Sequence, residues 1–349
     1  MSSTDVATTH TLVSMIIVNY NSGDYLLNCV SSVVESAYPS KEIIVIDNAS
    51  HDNSVANLRT VFPKVKVIRN AVNLGYAAAS NIGIASAKGE FLVIMNPDTL
   101  VDADWLGKLV SAAARYPRGA FFQPKILLMG NPRALNSAGN MIHIAGFGVC
   151  RGLGALDLEY PQDESEVCYA SGACTLIRRQ ALREVGPLEE LFFAYGEDKD
   201  WGWRASMMGW KSIYVPSSMI LHKWSPTLGQ TPRKFYLLEF ERLLSISKNY
   251  SKRSLVLLLP VFLLVELWVI LHAATRGWLR EKLQSYVDLF RVRNLVAQKR
   301  RLVQTHRTVS DRVLVGRFVT AIDHPYLGLA VTVLNRLVSR FQTLIAGSI

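Results

Sequence analysis

Cysteine is scarce in this chain: Cys29, Cys150, Cys168 and Cys174 are the four in 349 residues. None stands in a close pair, so neither a disulfide framework nor a cysteine-ligated metal site is expected. An apolar leader is also missing. Met1 to Thr11 is polar and lacks a basic start, so residues 1–11 read as a disordered terminus with no secretory signal, which fits a catalytic domain in the cytosol. There is no internal repeat and no low-complexity linker. Acidic charge is thin in one place: residues 233–349 hold 19 basic and 7 acidic side chains, against 19 and 21 in residues 1–232. The formal charge of +10 therefore belongs to the C-terminal third. Hydrophobic residues, at 50%, exclude a disordered chain.

What is present is a series of short apolar runs, each ending in polar residues. Leu92 to Met95 reads as a strand buried on both faces, stopped by Pro97 so that Asp98 lies just past its end. Met15 to Val18 ends in Asn19-Tyr20-Asn21-Ser22, and Ile43 to Ile46 ends in Asp47-Asn48. Residues 24–37 carry apolar positions at helical spacing between those two runs. Val65 to Ile68 adds a strand and Ala77 to Ala87 a helix. This alternation predicts an α/β fold with a mainly parallel, doubly wound sheet, whose ligands bind beyond the carboxyl ends of the strands.

The blocks Ser14-Met-Ile-Ile-Val-Asn-Tyr-Asn-Ser22, Glu42-Ile-Ile-Val-Ile-Asp-Asn-Ala-Ser50, Asn73-Leu-Gly-Tyr-Ala-Ala-Ala-Ser-Asn-Ile-Gly83 and Asn96-Pro-Asp-Thr99 resemble the inverting, nucleotide-sugar-dependent family 2 glycosyltransferases, and among them the bacterial rhamnosyltransferase-type members. The resemblance runs over roughly residues 12–250. It implies a GT-A fold: residues 12–110 as the nucleotide-sugar-binding half, 111–232 as the acceptor-side half, and 233–349 as a basic helical region. By the same resemblance Val18, Asn19, Tyr20 and Asp47 would hold base and ribose, with Asn73 and Gly75 close to the donor. Asn96-Pro97-Asp98 takes the place of the family's Asp-x-Asp motif, so a divalent metal, Mg²⁺ or Mn²⁺, would lean mainly on Asp98. His222 matches the position where many relatives place a metal-binding histidine. A deoxythymidine-diphosphate rhamnose donor is implied only by this likeness.

Gly196-Glu197-Asp198-Lys199-Asp200-Trp201 opens a helix, where acidic residues also complement the macrodipole. It resembles the family's acceptor-side motif, which carries the general base. An inverting transfer needs a carboxylate opposite the leaving diphosphate to take the acceptor's proton, a contribution of about 10²–10⁴ in rate. Asp198 is assigned that role, with Glu197 and Asp200 orienting the acceptor or the base. Residues 150–166 read as an exposed loop near the acceptor.

Leu255 to Ala274 is nearly all apolar, broken by Pro260, Glu266 and His272 and flanked by Lys252, Arg253, Arg276 and Arg280. It is just long enough to span a bilayer, but Glu266 near its middle favours an interfacial segment over a span. Tyr326 to Ile345 keeps amphipathic helical spacing and suggests a second surface element. The expected partners are a nucleotide-sugar donor, a lipid-linked glycan acceptor and the cytoplasmic membrane surface, with peripheral or monotopic attachment; an oligomer remains open. The excess charge lies beside apolar runs rather than interleaved with aromatics, so no nucleic acid is expected. Without a Gln-x-x-Arg-Trp motif a processive polysaccharide synthase is not expected. A polyprenyl-phosphate sugar transferase and an inactive scaffold are the alternatives.

Overall fold

The apolar runs of the first hundred residues fold as strands with helices between them. The computed structural model describes residues 10–223, 231–321 and 335–340. β1 (Val13–Asn19), β2 (Lys41–Asp47) and β3 (Lys66–Arg69) alternate with α1 (Asp24–Glu35), α2 (Ser54–Val61) and α3 (Tyr76–Ser86), and β4 (Phe91–Met95) follows. The chain continues through β5 (Thr99–Val101), α4 (Trp105–Arg115), β6 (Gly119–Leu128), β7 (Asn131–Ser137), β8 (Asn140–Ile142), β9 (Gly148–Cys150) and β10 (Ser165–Val167). Next come β11 (Cys174–Arg178), α5 (Arg179–Val185), α6 (Glu197–Met207) and β12 (Lys211–His222).

Among the described residues one sheet follows the path β10-β12-β6-β11-β4-β1-β2-β3, with β5 beside β12 and β7 beside β6. β3, β2, β1 and β4 are parallel neighbours. β6 and β12 are also parallel to each other, while β11 runs antiparallel to β4 and β6. β1 has β2 on one side and β4 on the other, so the strand order reverses there. The carboxyl ends of β1 and β4 therefore form the crevice that open α/β sheets use for ligands.

Strand periodicity explains the two-sided core. Met15 and Ile17 pack with Leu26, Val30, Trp105 and Leu109, whereas Ile16 and Val18 pack with Ala77, Ala79 and Ala181 on the other face. Ser212-Ile-Tyr-Val-Pro216 forms only the first part of β12. β12 crosses an irregularity between Val215 and Met219 and continues to His222, since Pro216 has no N–H for the ladder. This extension sets His222 opposite Thr99 of β5. The loop after β9 runs over the surface, with Leu158 95% exposed. All four cysteines are free thiols.

The C-terminal part is helical: α7 (Pro232–Asn249), α8 (Lys252–Leu257), α9 (Leu259–Arg276), α10 (Leu279–Arg291), α11 (Arg293–Thr305) and α12 (Asp311–Val315). The apolar run is thus divided between α8 and α9, with Pro260 in the first turn of α9, where its missing N–H costs no helical bond. Val261, Val265, Val269 and Ala273 face inward and share a core with Trp203 and Tyr250. Glu266 also turns inward. It pairs with Arg242 of α7 at 2.6 Å and with Lys282 of α10, and accepts a hydrogen bond from Tyr286. Burial opposes its charge, but Arg242, Lys282 and Tyr286 overcome this and hold its pKa down to about 2. No helix among the described residues is long and apolar enough to cross a membrane. Residues 335–340 are helical, with Val338 buried; the rest of the amphipathic stretch expected at 326–345 lies outside the described residues, as do residues 1–9.

Candidate active site

One wall of the crevice is built from the loops that follow β1, β2 and β3. Asn19 ends β1 with its side chain fully buried, donating from Nδ2 to Ser50 Oγ at 3.0 Å and Ser54 Oγ at 2.9 Å. Asp47 ends β2 and accepts from the Ser50 amide at 3.1 Å. Its Oδ2 has no hydrogen-bond donor, and Arg69 Nε lies 3.3 Å from it. Asn48 Nδ2 donates to Asn73 Oδ1 at 2.7 Å, and Asn73 Oδ1 also accepts from the Gly75 amide at 2.9 Å. Gly75 is required by its backbone: φ is +84°, and a Cβ would stand 2.3 Å from the Phe193 carbonyl oxygen. Tyr20 is 48% exposed at the mouth. Val18, by contrast, points into the core with Ile16 and Ile46. The side chains of Val18 and Asn19, both expected to hold base and ribose, are therefore closed to a ligand and shape the loop from beneath.

The second wall is the end of β4. Asn96 Nδ2 is 3.4 Å from His222 Nε2, and His222 Nε2 is 3.4 Å from Asp98 Oδ1. His222 Nδ1 lies 2.8 Å from Asn136 Oδ1. An amide oxygen can only accept, so the ring proton sits on Nδ1 and Nε2 presents its lone pair beside Asp98. The fold thus brings His222 to Asn96 and Asp98, although 126 positions separate Asn96 from His222 in the chain. Among the described residues no three His, Cys, Asp or Glu side chains cluster as a complete metal cage. A hard carboxylate with one neutral imidazole suits a cation that takes its other ligands from substrate phosphates and water.

The third wall is the N-terminus of α6. Tyr195 and Gly196 both have positive φ, +71° and +74°, and at Gly196 a Cβ would come within 2.0 Å of Glu241. This tight entry delivers Glu197 and Asp198 to a pocket they share with Tyr76, Gly172 and Trp201. Asp198 accepts from the backbone amides of Gly172 at 2.9 Å and Lys199 at 2.7 Å. Burial raises the pKa of Asp198, while these amides and the Lys199 ammonium act against it. Glu197 is raised well above its ordinary value, by burial first and then by the neighbouring Asp198 charge; its Oε2 has no hydrogen-bond partner. Of the two, Asp198 has the backbone amides of Gly172 and Lys199 to favour its charged form, whereas Glu197 Oε2 has no donor.

Asp200 behaves differently. It is fully buried and accepts from Arg204 Nε at 2.8 Å, Lys248 Nζ at 2.8 Å and Asn249 Nδ2 at 2.9 Å. Burial works against its charge, yet Lys248 and Arg204 lower its pKa far below the carboxylate range. Both oxygens of Asp200 are thus engaged within the fold, where they tie α6, the helix that carries Asp198, to α7.

One short segment ties the three walls together. The Asn96 amide donates to the Ala173 carbonyl at 3.0 Å, Tyr76 of α3 donates to the Gly172 carbonyl at 2.7 Å, and the Gly172 amide donates to Asp198. Asn48, Tyr76, Asn136 and Gly172 were not singled out in the sequence. Asn48 and Tyr76 sit inside blocks that were, whereas Gly172 lies outside them and Asn136 belongs to a strand with no apolar run to mark it.

A mainly parallel sheet whose carboxyl edge gathers Asp98 and His222, with a buried carboxylate pair at the start of α6, defines a transferase-like α/β domain. Residues 14–186 match the model of Glycosyl transferase family 2, and the chain belongs to that family. It is 29% identical over 245 residues to an N-acetylglucosaminyl-diphospho-decaprenol L-rhamnosyltransferase of Mycobacterium tuberculosis, covering 63% of this chain and 79% of that one. It is 25% identical over 268 residues to a poly-beta-1,6-N-acetyl-D-glucosamine synthase of Staphylococcus epidermidis, covering 68% and 62%. The fold is similar to that in a crystal structure of GalNAc-T7 with UDP, GalNAc and Mn²⁺, with a TM-score of 0.57 and 19% identity over 71% of this chain. The chain matches 49% of the length of that solved chain. The GT-A architecture implied by the motifs is thus the fold observed.

Proposed function

We propose that this protein moves a sugar from a nucleoside-diphosphate donor to a hydroxyl of a lipid-linked glycan, inverting the anomeric carbon. The observation that supports the reading is the Gly172–Ala173 segment, whose backbone bonds to Asp198 at one end and to the Asn96 amide, two residues before Asp98, at the other. In the step, Asp198 accepts the hydroxyl proton as the acceptor oxygen bonds to the anomeric carbon. The bond from that carbon to phosphate oxygen breaks, and the nucleoside diphosphate leaves with the electron pair. Asp98 and His222 would hold a divalent cation, Mn²⁺ or Mg²⁺; when bound, it supplies Lewis-acid neutralisation of the leaving diphosphate. Asp47, Tyr20, Asn73 and the Gly75 backbone line the donor side, with Asn19 and the Val18 backbone supporting them. Asn96 backs the cation site. Glu197, beside Asp198, orients the acceptor, and Asp200 fixes α6. The lipid-linked acceptor follows the name of the tuberculosis relative, and that name also makes deoxythymidine-diphosphate rhamnose the first donor to try.

The test is thermal shift and transfer with deoxythymidine-diphosphate rhamnose and a panel of other nucleotide-sugars, with and without Mn²⁺. One donor should stabilise the protein only with the metal, and Asp198→Asn should keep that stabilisation while losing transfer. Transfer undiminished in both Asp98→Ala and Asp198→Asn would overturn the assignment.

A further inference from the structure

The inward stripe of α9 has an outward counterpart. Leu259, Leu263, Leu267 and Leu271 recur every fourth residue, and each is between 50 and 62% exposed. α10 adds Leu279, Leu283, Val287 and Phe290, also at helical spacing and exposed. Such an apolar face, at the surface of two consecutive helices, is larger than scattered surface leucines account for. Its rim is basic: Lys252, Arg253, Arg276 and Arg280 are all exposed. Trp268 stacks on His272 with ring centroids 5.5 Å apart, placing an amphipathic ring pair on the same helix, as at membrane interfaces.

We propose that the outward face of α9 and α10 is a docking surface for a bilayer leaflet rich in anionic phospholipid, with α9 lying in the interface plane. This gives the transferase reading its membrane partner and rests on that reading for its purpose. Three observations select a leaflet over other occupants. The basic excess of residues 233–349, 19 against 7, attracts anionic headgroups and would repel a second copy carrying the same charge. Glu266, bound to Arg242 and Lys282, ties the opposite face of α9 to the protein, so lipid can reach only the leucine side. The Arg242–Glu239–Lys282 cluster belongs partly to α7, and α7 also holds Asp200 through Lys248. Docked helices and catalytic helix are therefore braced by the same element.

The experiment is sedimentation of the full chain with phosphatidylcholine vesicles, with and without phosphatidylglycerol, alongside its sedimentation velocity in solution. Binding should require phosphatidylglycerol. Leu263→Glu with Leu267→Glu should weaken it about tenfold or more, because apolar burial drives interfacial attachment. Arg276→Glu with Arg280→Glu should weaken it and erase the preference for anionic lipid. Both double variants should keep the wild-type melting temperature. Wild-type protein that ignores anionic vesicles, or leucine variants that bind as wild type, would overturn the proposal. A dimer dissolved by the leucine substitutions would assign the face to a second copy and overturn it as well. Vesicle binding without response to any nucleotide-sugar would sink the transferase reading and leave this one standing.

Discussion

His222 of β12 and Asn136 of β7 meet at 2.8 Å between Nδ1 and the amide oxygen, and this contact fixes the tautomer of a ring that faces Asp98. A ligating histidine is commonly oriented by an acceptor on its other nitrogen. Asn136→Ala should therefore weaken Mn²⁺-dependent donor stabilisation by about 10–100-fold in metal concentration. Excess metal should restore it, while Asp98→Ala should not recover. A Mn²⁺ titration followed by thermal shift reads both. An unchanged midpoint in Asn136→Ala would remove the histidine from the metal site.

Glu197 carries a cost that can be measured. Its raised pKa, from burial and then the Asp198 charge, stabilises the fold fully below the unfolded carboxylate value, and that contribution disappears as pH rises through the folded value. Glu197→Gln has no such dependence. The variant should melt above wild type at neutral pH, with the gap growing by about 1.4 kcal/mol for each unit of pH crossed in that window. Calorimetry across the acidic to neutral range checks this. A gap that narrows as pH rises would place the proton elsewhere.

Asp200 and Glu266 have the opposite sign. Both pKa values are lowered, against the pull of burial, by cationic partners. Their stabilisation is present above the unfolded carboxylate pKa and is lost as pH falls through the folded one. Asp200→Ala leaves Lys248 and Arg204 buried without their anion, a loss of about 3–5 kcal/mol. Glu266→Leu makes α9 more apolar, yet it should destabilise the protein by a similar amount, since Arg242 and Lys282 lose a shared partner. Denaturant unfolding measures both. A Glu266→Leu protein as stable as wild type would mean that the ion cluster contributes nothing to the fold.

Much of the first hundred residues was legible in the chain. Buried parallel strands are short and almost wholly apolar, and Pro97 and the polar tails after Val18 and Ile46 marked where each strand stopped. The same reading failed in residues 119–167. β7 begins exposed and carries polar residues, as in Asn131-Pro-Arg-Ala-Leu-Asn-Ser137, while β8 and β9 are three residues each and form a separate two-stranded pair, so no apolar run marks them. Asn136 went unnoticed for that reason.

The sequence by itself determined the order of strands and helices in the first hundred residues, the carboxylates at the strand and helix ends, the motifs of the family and the basic C-terminal third, because each is a property of neighbouring residues. Only the tertiary structure decided which carboxylates stay open. Glu197, Asp198 and Asp200 lie within one turn, and residue type gives them the same charge. Asp200 is neutralised by Lys248 of α7, Asp198 is held by the backbone of Gly172, and Glu197 has no partner for Oε2. Likewise Glu266 looks like a flaw in an apolar run until Arg242 and Lys282 are seen against it. Burial and charge pairing are set by residues distant in the chain, and it is these contacts that give chemically equal side chains different protonation and different work.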